Sequence, residues 1–182
     1  MKHPLQALSH RQQAVLFRIT FALTLLIFGI FAIIGAPLQT PAAPQGIVSF
    51  ELVANVQQAQ AMVDSWEGTA PLWAAFGLGF DYLFMPMYAL AASVACLWAA
   101  RTFGESDSPL APAGIPLAWG AWLAGCLDAL ENAALLRMLV ISPENPYPQI
   151  ARLAAQAKFA LLLAAIGYAL VALGFKLWRS VR

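Results

Sequence analysis

The stretch FALTLLIFGIFAIIGA, residues 21–36, contains no charged residue, and three further long apolar stretches follow it along the chain. A helix needs about 20 consecutive apolar residues to cross the hydrocarbon core of a bilayer. Composition points the same way. Hydrophobic residues make up 61% of the chain and charged residues only 10%, where soluble domains carry about 25% charged residues. So few charges cannot cover that much apolar surface in a water-soluble globule of 182 residues. The expected fold is an all-α membrane protein, a single four-transmembrane-helix bundle over residues 1–182, with spans near 16–36, 72–100, 113–140 and 150–178.

The first span follows Lys2, Arg11 and Arg18, a layout that a cleaved signal peptide shares. Its apolar run is long enough to span and its tail is long for a signal, so it is expected to be retained. Between spans one and two, PLQTPAAPQG is extended and proline-rich. The following SFELVANVQQAQAMVDSW carries Phe50, Val53, Val56, Val63 and Trp66 at near-helical spacing. A short amphipathic helix over about 49–66 is expected there, capped by Ser49, on the membrane surface or over the bundle. Pro86 is expected to kink span two. Pro148 is placed to start span four after the SPENPYP turn.

Lys and Arg in short flanks mark the cytoplasmic side. They lie in the N-terminal tail, at Arg101, and at Lys176, Arg179 and Arg182, whereas residues 37–70 and 141–149 contain none. Both termini are therefore expected in the cytoplasm, across a bacterial inner (plasma) membrane. Trp66, Trp73, Tyr147 and Trp178 fall near the expected interfaces.

Ionisable residues inside a bilayer cost about 2.5–3.5 kcal/mol each at a helix centre on insertion scales. Span two carries Asp81; span three carries Asp128, Glu131 and Asn132; span four carries Lys158. At about 1.5 Å per residue, Asp81 lies roughly 30 Å from Arg101, Asp128 and Glu131 roughly 22 and 27 Å from Ala113, and Lys158 roughly 27 Å from Lys176. The three spans thus bring their charges to similar height, in the outer half of the bilayer. Helical phase puts small residues on the same faces: Ala74 and Gly77 beside Asp81, Ala121, Ala124 and Gly125 beside Asp128, and Ala151, Ala154 and Ala155 beside Lys158. Small residues mark helix–helix contact in membranes. A shared polar pocket is expected from Asp81, Asp128, Glu131, Asn132 and Lys158, with the Tyr82 or Tyr88 hydroxyl as a further donor. Span one offers only Thr20 and Thr24.

Three acids face one lysine, with Arg137 and Arg152 nearer the rim. A proton on one acid, inward-folding arginines, or a bound cation or polar ligand would each balance the account. The bland alternative is polar glue that fixes helix register. Met85 and Met87 read as packing residues, Trp119 and Trp122 as packing or the lining of a lipid cavity, and Cys96 and Cys126 as buried small hydrophobes.

A net charge of +1 carries no nucleic-acid footprint, and no nucleic-acid partner is expected. His3 and His10 both precede the first apolar run, so neither can hold haem or a metal inside the membrane; no cofactor or metal is expected. No C-x-x-C suggests a disulfide relay. Carboxylates held within a small helical bundle make this plan similar to that of the emopamil-binding-like group. The intramembrane histidine of that group's isomerase chemistry has no counterpart here, and no site is carried over. Three functions remain: a structural or accessory membrane subunit with a buried polar network; a carrier or receptor for a small polar or amphipathic solute, proton-coupled in one form; and an intramembrane enzyme acting on a lipid or isoprenoid. Membrane lipid is the expected partner, with a homodimer or larger membrane complex.

Overall fold

The computed structural model describes residues 2–181, and every regular element among them is helical. The elements are α1 (His10–Ile34), α2 (Ile47–Glu51), α3 (Val56–Asp64), α4 (Ala70–Gly104), α5 (Gly114–Val140) and α6 (Tyr147–Ser180). Short 3-10 turns precede α1 at Pro4–Ala7, follow it at Ala36–Leu38, and precede α5 at Ala111–Ala113.

Helix α1 begins before the expected Leu16 because Ser9 and Gln12 cap it. The Ser9 hydroxyl accepts from the Gln12 N–H at 3.3 Å, and the Gln12 side chain accepts from the Ser9 N–H at 2.8 Å. Helices α1, α4 and α6 are long and apolar enough to cross a membrane. Helix α5 is long enough, but Asp128, Glu131, Asn132 and Arg137 dilute it. The outer surface of α1 is apolar, exposing Ile19, Phe21, Leu25, Leu26, Phe28 and Ile33. Such a face is compatible with lipid as its solvent. Helix α4 runs on through Pro86.

The segment between α1 and α4 differs from the single helix expected over 49–66. It folds as two short helices, with the chain breaking between Glu51 and Val56. Asn55 rather than Ser49 supplies the side-chain cap, accepting from the Gln58 N–H at 2.9 Å. Ser49 accepts instead from the Gln45 N–H. Trp66 is buried. It is 4% exposed, and its indole N–H donates to the Leu38 carbonyl at 2.9 Å. Phe50 and Val53 are likewise buried, in one core with Ala74 and Leu78 of α4, Leu135 and Met138 of α5, and Ala151 of α6. Burial of these aromatic and aliphatic side chains holds the segment against the core of its unit.

Two compact units divide the chain. One comprises Met1–Thr24, Pro86–Gly125 and Phe159–Arg182; the other comprises Leu25–Met85 and Cys126–Lys158. The first has a core that includes Val94, Cys96, Leu97, Phe103, Ala118, Tyr168 and Ala172. Within it Gly114 permits close packing of α5 on α4: a Cβ there would stand 2.4 Å from the Ala100 Cβ and 2.7 Å from the Cys96 carbonyl oxygen. Cys96 is buried as expected, but Cys126 is exposed. Cys126 shares the outer side of α5 with exposed Leu123 and Leu130, a helical turn away in each direction.

Candidate functional site

The polar residues of α5 and α6 meet within the second unit. On α5, Asp128, Glu131 and Asn132 fall on one face at i, i+3 and i+4, and are 2%, 0% and 1% exposed. Lys158 of α6 is 6% exposed and follows Ala151, Ala154 and Ala155, all buried. Those small side chains let the α6 backbone approach its neighbours, so the lysine needs little reach.

Lys158 Nζ donates to Asp128 Oδ1 at 2.8 Å and stands 2.8 Å from Glu131 Oε2. The second contact is an ion pair without hydrogen-bond alignment, and both Glu131 oxygens are buried with no hydrogen-bond partner among the described residues. A third carboxylate completes the group. Glu51, the last residue of α2, places Oε2 3.9 Å from the same Nζ. Burial pushes the Glu51 carboxyl above its ordinary range, with Lys158 opposing the rise.

Asn132 links this group to α4. Its Nδ2 donates to Asp81 Oδ2 at 2.8 Å and to the Leu78 carbonyl at 3.1 Å. The Tyr82 hydroxyl donates to the Ala129 carbonyl at 3.2 Å, so it ties α4 to α5 rather than serving a carboxylate. Tyr88 is buried and lies on the α4 segment of the first unit. Thr20 and Thr24 bond back to carbonyls of their own helix, at Leu16 and Thr20 respectively.

The rim arginines do not fold inward. Arg137 pairs with Glu144 across the turn into α6 and lies over the Tyr147 ring, 5.2 Å from its centroid. Arg152 is exposed. With every group ionised, one ammonium faces Glu51, Asp128 and Glu131, so the site carries more acid than base. Such an arrangement can hold a proton on a surplus carboxyl or attract a small cation. It can also serve as a three-way brace among α2, α5 and α6, joined to α4 through Asn132.

Sequence reasoning passed over two residues. Glu51 sits in the interval between two apolar spans, outside any expected membrane helix, and the burial of its neighbour Phe50 marks the turn that aims it inward. His3 was read as part of the tail. It is 1% exposed, with its ring 4.7 Å from that of Trp119 and 5.2 Å from that of Trp122. Burial there lowers the His3 pKa below its ordinary 6.5.

Comparisons with family models, with curated proteins and with solved structures each return no match. The functional reading therefore rests on the chemistry of the residues themselves.

Proposed function

We propose that this chain is a small four-span membrane protein that acts as a structural or accessory subunit, held together by a buried ionic network. On this reading α5 is the fourth span, both termini are cytoplasmic in a bacterial inner membrane, and the α2–α3 segment lies on the outer side. The basic flanks at Arg101, Lys176 and Arg179 support that orientation. Lipid is the solvent of the exposed apolar faces, and a homodimer or larger membrane complex is the natural setting for so little extramembrane mass.

One observation carries the structural role. Asp128, Glu131 and Lys158 are all buried, Glu131 completely, while a single Nζ joins carboxylates from α2 and α5. A network that closes on itself is suited to fixing helix register, the best-attested use of buried charge. A proton-coupled carrier is the second reading, favoured by the surplus of carboxylates over cations.

Proteoliposomes loaded with a pH-sensitive dye separate the two. The structural role predicts no proton movement down an imposed gradient, with or without added solutes. A flux that disappears in Glu131→Gln would overturn it in favour of the carrier.

A further inference from the structure

The first unit contains a groove of about 320 Å³ with mixed walls, lined among others by polar Gln6, His10, Gln13 and Arg101 and by apolar Leu97 and Ala111. Its walls are built, not incidental. The Pro4–Ala7 turn is closed by a reciprocal cap in which His3 accepts from the Leu5 N–H and Gln6 accepts from the His3 N–H. The buried Gln13 side chain donates to the Leu5 carbonyl at 2.7 Å, tying that turn to α1. Its oxygen accepts from Arg101 Nη1 at 2.5 Å. An already fixed amide thus orients the guanidinium.

Gln13 uses one of the five N–H donors of Arg101. No carboxylate lies within ion-pair distance of Arg101 among the described residues. Glu105, in the turn just after α4, acts on it from a longer range and is itself exposed. Lys2, Arg11 and Arg18 of the N-terminal segment are exposed, and that segment has no Asp or Glu before Glu51; the nearby acids in sequence, Glu105 and Asp107, lie exposed in the turn after α4. An oriented guanidinium, amide and imidazole groups, and an apolar wall at Leu97 and Ala111 match one chemistry, a phosphate group attached to an apolar tail.

We propose that the groove binds the phosphate headgroup of an anionic phospholipid, with Arg101 as the anchoring cation. About 320 Å³ holds a headgroup and the root of its acyl chains, not a whole lipid. The inference rests on the membrane reading, and is independent of the role given to Lys158.

Native mass spectrometry of the full chain in detergent tests it, with phosphatidylglycerol, phosphatidylcholine and inorganic phosphate as the three probes. The expected result is retention of phosphatidylglycerol about tenfold above phosphatidylcholine. Arg101→Gln should abolish the preference, and Arg152→Gln, an exposed arginine of the second unit, should keep it. Ala111→Phe, which fills the groove without touching the charge, should also abolish it. Equal retention of the two lipids, or a preference that survives Arg101→Gln in a folded protein, would overturn the proposal. So would displacement of the lipid by inorganic phosphate at equal concentration, which would make a free anion the ligand. Fractionation of the chain with aqueous proteins would overturn the membrane reading itself, an outcome separate from loss of lipid preference in an embedded chain.

Discussion

Lys158 and Arg101 are cations set on long apolar helices, and their surroundings are opposite. Lys158 has Asp128 and Glu131 at 2.8 Å and Glu51 at 3.9 Å, and is buried. Arg101 has one amide partner, Gln13, and borders a groove. A buried charge must be answered from within, because no solvent stabilises it. A half-buried charge beside an opening can be answered from outside. The two sites therefore respond differently to change: removing Lys158 strands its partners, while removing Arg101 leaves little behind uncompensated.

The largest effect expected from this contrast is at Lys158. Lys158→Met leaves Asp128 and Glu131 without their cation and should cost about 3–5 kcal/mol, read as loss of resistance to denaturation in detergent. Adding Asp128→Asn and Glu131→Gln to that variant should recover most of the loss. If the triple variant were as unstable as the single one, the ionic network would not be the source of the stability.

A smaller loss is expected one contact away. Asn132→Leu removes the amide that bonds Asp81 and adds a second bond to the Leu78 carbonyl. Leaving buried polar groups unsatisfied costs about 1–3 kcal/mol, measurable in the same denaturation assay. A neutral Asn132→Leu would mean that the Asn132 bonds add nothing to the hold of α4 on α5.

The smallest effect is one of sign. Glu51 binds its proton more tightly when buried than when free, so docking of α2 gains stability at low pH and loses it as pH rises through the raised pKa. His3 behaves oppositely. Its lowered pKa favours the neutral ring, so the free segment takes up a proton first and docking weakens as pH falls below about 6.5. Trp66 emission should therefore report loosening on the alkaline side, and Trp119 and Trp122 emission on the acid side, each followed in variants that retain only the reporting tryptophans. Glu51→Gln should flatten the first response only.

Much of the second unit was legible before its geometry was known. Asp128, Glu131, Asn132 and Lys158 stand out because charge within an apolar helix has few places to go, and phase assigns their direction. Asp81 joins them through Asn132 for the same reason. Glu51 was hidden because an acid in a polar loop is ordinary, and its burial depends on Phe50 docking against residues far along the chain. The loop's break at residues 52–55 was hidden as well, since the apolar spacing runs on across it while Asn55 caps a new start. His3 shows the limit most plainly. Nothing local distinguishes a tail histidine from one held between Trp119 and Trp122.

The order in which the network's members occur along the chain has a consequence for synthesis. Glu51 emerges first, then Asp128 and Glu131, and Lys158 last. On the four-span reading, α5 reaches the translocation machinery with its carboxylates and before its cation. It is also the one long helix of the four that, with its carboxylates, falls short of the apolar stretch needed to cross a membrane. Only the short stretch from Ile141 to Pro146 separates α5 from α6. The two helices should therefore enter lipid as a hairpin, with the strongly apolar α6 carrying in the neutralising lysine. A ribosome stalled before Lys158 would leave α5 unable to settle in the membrane.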